Sequence, residues 1–231
     1  MPVERRFSRV AISLFFVLVF ASSASAVPIG PDDFQDGTTM GWRIGSAGVQ
    51  PLTLADNGPL GVGDFALRRV AGGGGAGSRM LLFNSAQWTG SFTGLDAISG
   101  NWRAATFGPS LTMRVAIDGP GGRWVSGGVY LPNDGLYHRF VIDLSPADFT
   151  AIGGTNIFAT LANVSVMRLL HSPTPSWRSV TVATTVDLDN VTAGAFGGVV
   201  VTPSPAPEPS SLVLLSLGLA GLARRRRPNG S

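Results

Sequence analysis

The 231-residue sequence predicts an all-β domain: an antiparallel β-sandwich of jelly-roll type with one short helix, flanked by an N-terminal signal helix and a C-terminal hydrophobic helix. Three observations predict it. Several short runs alternate apolar and polar residues at period two. Clusters of Asx, proline and glycine separate those runs, as tight reversals require. The composition, with 31 glycines, 16 prolines and no lysine, suits strands and turns better than long solvated helices.

Taken in order, the chain opens with Arg5, Arg6 and Arg9, an apolar run from Val10 to Phe20, and small residues ending in Ala24-Ser25-Ala26. This is the three-part layout of a secretory signal, with Ala24 and Ala26 marking the cleavage site and signal peptidase as the processing partner. The run is too short for the roughly 20 residues that a bilayer helix needs. Residues 1–26 are therefore assigned to a signal peptide, and residues 27–196 to one sandwich domain.

The basic character of the chain belongs to its ends. All 17 cationic side chains are arginines, three in the signal and four at Arg224, Arg225, Arg226 and Arg227. The body between carries ten arginines against twelve aspartates, a net charge of −2, so no basic surface for nucleic acid is expected. Cysteine is absent, which excludes disulfides, a thiol nucleophile and a cysteine-ligated zinc.

Turns are predicted at Asp56–Pro59, Asp118–Gly122 and Pro132–Gly135. Between them, Leu111, Met113, Val115 and Ile117 share one strand face. So do His138, Phe140, Ile142 and Leu144, and again Val180, Val182, Val186 and Leu188. Further strands are expected at Phe65–Val70, Arg79–Asn84, Trp124–Tyr130 and Val164–Leu170, giving seven or eight in all. The short helix is placed after Leu144, with Ser145 as cap, Pro146 at the first position and Asp148 in the first turn. Residues 197–206 lose the alternation and gain proline, which marks an extended linker.

The tail is the most specific part of the sequence. Leu212 to Ala223 is apolar but, at ~1.5 Å per residue, about 18 Å long against a hydrocarbon core of roughly 30 Å. Four arginines follow and hold that end on the cytoplasmic side. Such a segment halts a crossing chain without anchoring it well. Pro207-Glu208-Pro209, the serines Ser210-Ser211, the Leu/Gly/Ala span and the terminal arginine cluster resemble the PEP-CTERM sorting domain of Gram-negative bacteria, over residues 207–231. The resemblance implies a transient stay in the inner membrane and recognition at Pro207, Glu208 and Pro209 by an exosortase. Delivery to the cell surface or extracellular matrix would follow, in association with exopolysaccharide and biofilm.

Within the body, no hydrolase motif is present, and the two histidines stand apart from any serine and aspartate in triad-like spacing. His138 is expected to pack on its strand, and His171, in a proline-rich stretch, to be solvated. Gly72, Gly74 and Gly77 fit a phosphate-loop spacing, but a strand follows at Arg79, so a plain glycine loop is expected. Asp32, Asp33 and Asp36 near the start of the mature chain, and Asp187 and Asp189 near its end, have two readings. They are solvated turn and strand-end aspartates, or Asp36, Asp187 and Asp189 converge on a structural calcium where first and last strands meet. Trp88 and Trp177 likewise serve either packing or sugar stacking. The Asp189-Asn190-Val191 strand end resembles that of galactose-binding-like carbohydrate-binding modules, which implies calcium and a polysaccharide ligand.

Overall fold

The computed structural model describes residues 28–45 and 48–194. The signal cleavage residues Ala24 and Ala26, the linker and the sorting tail lie outside the described residues. Among the described residues, twelve strands form two six-stranded antiparallel sheets, the predicted sandwich. Sheet I contains β1 (Ile29–Asp32), β2 (Leu52–Leu54), β3 (Ala66–Gly72), β5 (Ala97–Ala104), β9 (His138–Asp143) and β12 (Ala183–Gly194). Its order is β2-β3-β12-β5-β9, with β1 also paired to β12. Sheet II contains β4 (Leu81–Asn84), β6 (Leu111–Asp118), β7 (Trp124–Val125), β8 (Val129–Leu131), β10 (Thr150–Ala151) and β11 (Val166–His171). Its order is β10-β7-β6-β11-β4, with β8 beside β6.

The period-two runs become strands for the expected reason: their apolar faces meet between the sheets. Leu67, Trp102, Val115, Ile117, Phe140, Leu169 and Leu188 all join one buried cluster. First and last strands lie side by side as expected, with Asp32 opposite Val191. The predicted strand from Trp124 to Tyr130 is split into β7 and β8, because Arg114 and the Val115 main chain engage Ser126 between them.

β5 was not predicted, since Gly100 and Asn101 interrupt its alternation. The structure shows why glycine stands there: a Cβ on Gly100 would lie 2.9 Å from the Phe140 ring and 3.0 Å from the Asp189 carbonyl. That approach lets Trp102 stack on Phe140 at 4.1 Å and 16°, worth about 1 kcal/mol beyond the area it buries. Opposite Gly100, β12 carries a bulge between Asp189 and Thr192, with Asn190 at φ 52°.

The helix expected after Leu144 is a single 3-10 turn, Pro146–Asp148, and Ser145 makes no side-chain cap. The α-helix α1 lies instead at Ile157–Ala162, capped by Asn156, whose side chain accepts from the Ala159 N–H at 3.1 Å. Its cap stabilises a helix too short to announce itself by periodicity. Ile157, Thr160 and Leu161 bury its inner face. No described helix is long and apolar enough to cross a membrane.

Candidate functional site

A row of side chains crosses the outer face of sheet I. Leu52, Arg68, Asp187 and Arg103 are register partners in succession across β2, β3, β12 and β5. Tyr137 precedes His138, the partner of Trp102, and so stands next in the row, its ring 4.7 Å from the Arg103 guanidinium carbon. At a strand spacing of ~4.8 Å the row runs roughly 19 Å across the sheet. Strand alternation puts these residues outward because Leu67, Trp102, Val186 and Leu188 occupy the inward positions.

Asp187 organises the row. Its Oδ1 accepts from Arg68 Nε at 2.7 Å; its Oδ2 accepts from Arg68 Nη2 at 2.9 Å, Arg103 Nη2 at 2.6 Å and Arg103 Nε at 3.0 Å. The carboxylate is buried, while the arginine side chains are 32% and 25% exposed. Hydrogen bonding to Asp187 raises the Arg68 pKa and holds that guanidinium in its charged form. Asn57 completes the lattice: its Oδ1 accepts from Arg103 Nη2 at 2.7 Å and Arg68 Nη2 at 3.1 Å, and its carbonyl accepts from the Tyr137 hydroxyl at 2.6 Å. Burial, and then the Asp187 charge, push the Tyr137 phenol up and keep it a donor.

The loop that delivers Asn57 is tied internally. Asp64 accepts from the Leu60 N–H at 2.7 Å and from Gln35 Nε2 at 2.7 Å. A Cβ on Gly58 would come 2.3 Å from the Asp64 carboxylate, so only glycine fits beneath it. Leu60 and Val62 stand almost fully exposed at the tip, beside the polar row.

A guanidinium has five N–H donors. Asp187 and Asn57 take those on Nε and Nη2, and among the described residues neither Nη1 group is bonded to protein. Two fixed arginines therefore each present a free pair of donors on an exposed face. This can bind an acceptor-rich ligand such as a polyhydroxylated chain; it holds no nucleophile or general base.

The sequence-predicted residues fall elsewhere. Asp187 is saturated by its two arginines. Asp189 is fully buried one step along β12; its Oδ2 accepts from Asn190 and its Oδ1 has no protein partner. Burial, with Asp64 and Asp33 adding repulsion, pushes its pKa up to about 7. Asp36 is exposed and turns its carboxylate onto Thr38, at 2.8 Å from the Thr38 N–H. Among the described residues no three His, Asp or Glu side chains gather as a metal cluster, and Asp36, Asp187 and Asp189 are not brought together in one.

The tryptophans are placed as packing groups. Trp88 is completely buried. Its indole and that of Trp42 both donate to Asp32 Oδ2, each at 2.6 Å, so Asp32 pins the two rings together. Burial raises the Asp32 pKa, and the indole bonds only partly offset it. Trp177 lies on the outer face of sheet II against Ala116, Val125 and Leu170. The guanidinium carbon of Arg168 stands 3.9 Å from its ring centroid and that of Arg123 4.8 Å, leaving it 9% exposed. Neither ring offers a face to a sugar. His138 meets Asp134 at 3.0 Å, and His171, expected to be solvated, is buried with Nδ1 3.0 Å from the Thr112 nitrogen. Burial lowers the His171 pKa and keeps it neutral.

Arg68, Arg103, Asn57 and Tyr137 were missed. The signal available was the alternation of β3 and β12, which assigns Arg68 and Asp187 to the solvent side of their strands; Arg103 lies on β5, where Gly100 and Asn101 interrupt that signal.

Residues 205–227 match the PEP-CTERM protein-sorting motif. They include Pro207, Glu208, Pro209 and the four arginines, and mark the chain as an exported protein sorted through its C-terminus by an exosortase. No curated protein matches the chain in sequence. Solved structures of similar fold include a family 11 carbohydrate-binding module from Clostridium thermocellum in complex with a beta-1,3-1,4-mixed-linked tetrasaccharide. It is 15% identical over 73% of this chain and 96% of its own, with a TM-score of 0.46. A non-crystalline cellulose specific module, CBM28, is 18% identical over 72% of this chain and 94% of its own, with a TM-score of 0.45.

Proposed function

We propose that this is a non-enzymatic, polysaccharide-binding protein of the cell surface or extracellular matrix, with the outer face of sheet I as its binding surface. The observation that carries the reading is the clamped arginine pair: Asp187 and Asn57 fix Arg68 and Arg103 while their Nη1 donors remain free. Preorganisation of this kind removes the side-chain entropy that a ligand would otherwise have to offset. Because one carboxylate already balances part of the arginine charge, the surface suits hydroxyl oxygens of a neutral chain. The sorting tail supports the location, since it sends the domain to where polysaccharide is laid down. Exosortase and signal peptidase are its processing partners.

Affinity electrophoresis through gels containing neutral polysaccharides tests the surface. Arg103→Ala and Tyr137→Ala are expected to abolish retardation, whereas Trp88→Ala and Trp177→Ala act on stability alone. Absence of retardation on every polymer would remove the binding role. Mass spectrometry of the native product tests the sorting, with a new C-terminus expected in the region of Pro207 to Pro209.

A further inference from the structure

A cavity chemically different from the sheet I face opens beside the glycine loop that follows β3. It has a volume of about 330 Å3 and is lined by Ile44, Gly45, Arg69, Gly75, Ser78 and Arg79 among others, with no acidic residue in its wall among the described residues. That is about eleven times the ~30 Å3 that one water occupies in the liquid, space for a sugar-sized molecule rather than a bare ion.

Arg69 is the unusual member. On β3 it alternates with Leu67 and Ala71, which face the core, so a guanidinium occupies an inward position and is 1% exposed. Its terminal nitrogens donate to the carbonyls of Gly77 at 2.8 Å, Arg79 at 2.9 Å and Val49 at 3.1 Å, and to that of Val70. Its Nε–H has no partner. Among the described residues no carboxylate pairs with Arg69, nor with the exposed Arg79 on the same wall. Carbonyls satisfy hydrogen bonds but leave the charge uncompensated, and a buried cation normally has an anionic neighbour. Burial lowers the Arg69 pKa, the direction that a bound anion would reverse.

The geometry points to a binding site for a sugar-sized carboxylate, a hexuronate free or within an acidic polysaccharide, with its carboxylate on the exposed Arg79, drawn by the uncompensated charge of Arg69 behind it, and its ring beside Ile44. The glycine loop from Gly72 to Gly77 thus frames an anion site through arginines, not through the phosphate-cradling backbone that its spacing mimics. This site is separate from the sheet I face and stands or falls independently of it.

The test uses the full chain in a polyoxyethylene detergent and follows the arginine Nε–H signals by NMR while titrating sodium glucuronate, glucose or sodium acetate. Glucuronate is expected to shift the Arg69 and Arg79 signals at concentrations where glucose and acetate do not. Galacturonate oligomers serve as a further arm, separating recognition inside a polymer from recognition of the free acid. Arg79→Gln should weaken glucuronate binding about tenfold or more, by removing a charge-assisted hydrogen bond. Gly45→Asp should do likewise, placing a competing carboxylate in the wall at a position where a Cβ meets nothing. Tyr137→Ala should leave glucuronate binding unchanged while abolishing retardation on neutral polymers, so the two sites are told apart. Equal shifts from glucose or acetate, no shift at all, or indifference to both Arg79→Gln and Gly45→Asp would overturn the proposal.

Discussion

The outer faces of the two sheets solve the same problem in opposite ways. On sheet II, Ala116, Val125 and Leu170 leave an apolar face, and the segment after His171 folds back to cover it with Trp177. Arg114 pins that segment, donating to the carbonyls of Ser172 and Pro173 at 3.0 Å. On sheet I the outward positions include Arg68, Asp187 and Arg103, where the carboxylate balances part of the arginine charge and the two arginine side chains stay partly exposed. Both faces use arginine, but on sheet II it seals the surface and on sheet I it presents it. An aromatic residue in a proline-rich loop is thus a poor guide to a binding face, whereas unspent donors on fixed side chains are a better one.

Substitutions can break this contrast. Trp177→Ala should have the largest effect on stability, a loss of about 4 kcal/mol in urea unfolding, because it strips the cover from sheet II. Polysaccharide retardation should be unchanged at temperatures where the variant stays folded; its loss there would relocate binding to sheet II. Asp187→Ala should cost about 3 kcal/mol, since two partly buried guanidiniums lose their shared carboxylate, and should also abolish retardation. Retention of full binding would show that the lattice is not what presents the donors.

Titration sharpens the comparison further. Asp189 lies beside the row with its pKa pushed up to about 7, whereas an aspartate in the unfolded chain ionises near ~3.9. Between these values the folded protein keeps a proton that the unfolded chain has released, so stability falls as pH rises from about 4 to 7. Asp32, also raised by burial, acts in the same direction, while His171, lowered by burial, opposes both. Asp189→Asn should therefore flatten the fall in Tm across that window, and an unchanged slope would place its carboxyl in a wetter setting. The smallest effect is expected for Tyr137→Phe, about 1 kcal/mol for the lost bond to Asn57, with the ring still beneath Arg103 and retardation only slightly weakened.

How far the site could be read from sequence depends on the distance over which each signal acts. Period-two alternation is local, and it located β3, β4, β6, β9, β11 and β12 and put Asp187 opposite Val186 and Leu188. β5 escaped because Gly100 answers to Phe140, forty residues away, and not to its own neighbours. The Asp187 lattice draws on four separate segments, so no spacing along the chain foretells it. The same holds for Asp32, which the sequence offers as a solvated aspartate and which two indoles hold instead.

By itself the sequence determined the sorting tail, and with it export, and the sandwich class, because a short sorting motif and strand periodicity are properties of contiguous residues. Tertiary structure alone decided which charges would be spent on the fold and which left over. Asp187 took two arginines from neighbouring strands, Trp177 was closed against two more, and Arg69 was turned inward with no counter-ion among the described residues. Those outcomes follow from register and packing, which bring together groups that the chain keeps far apart.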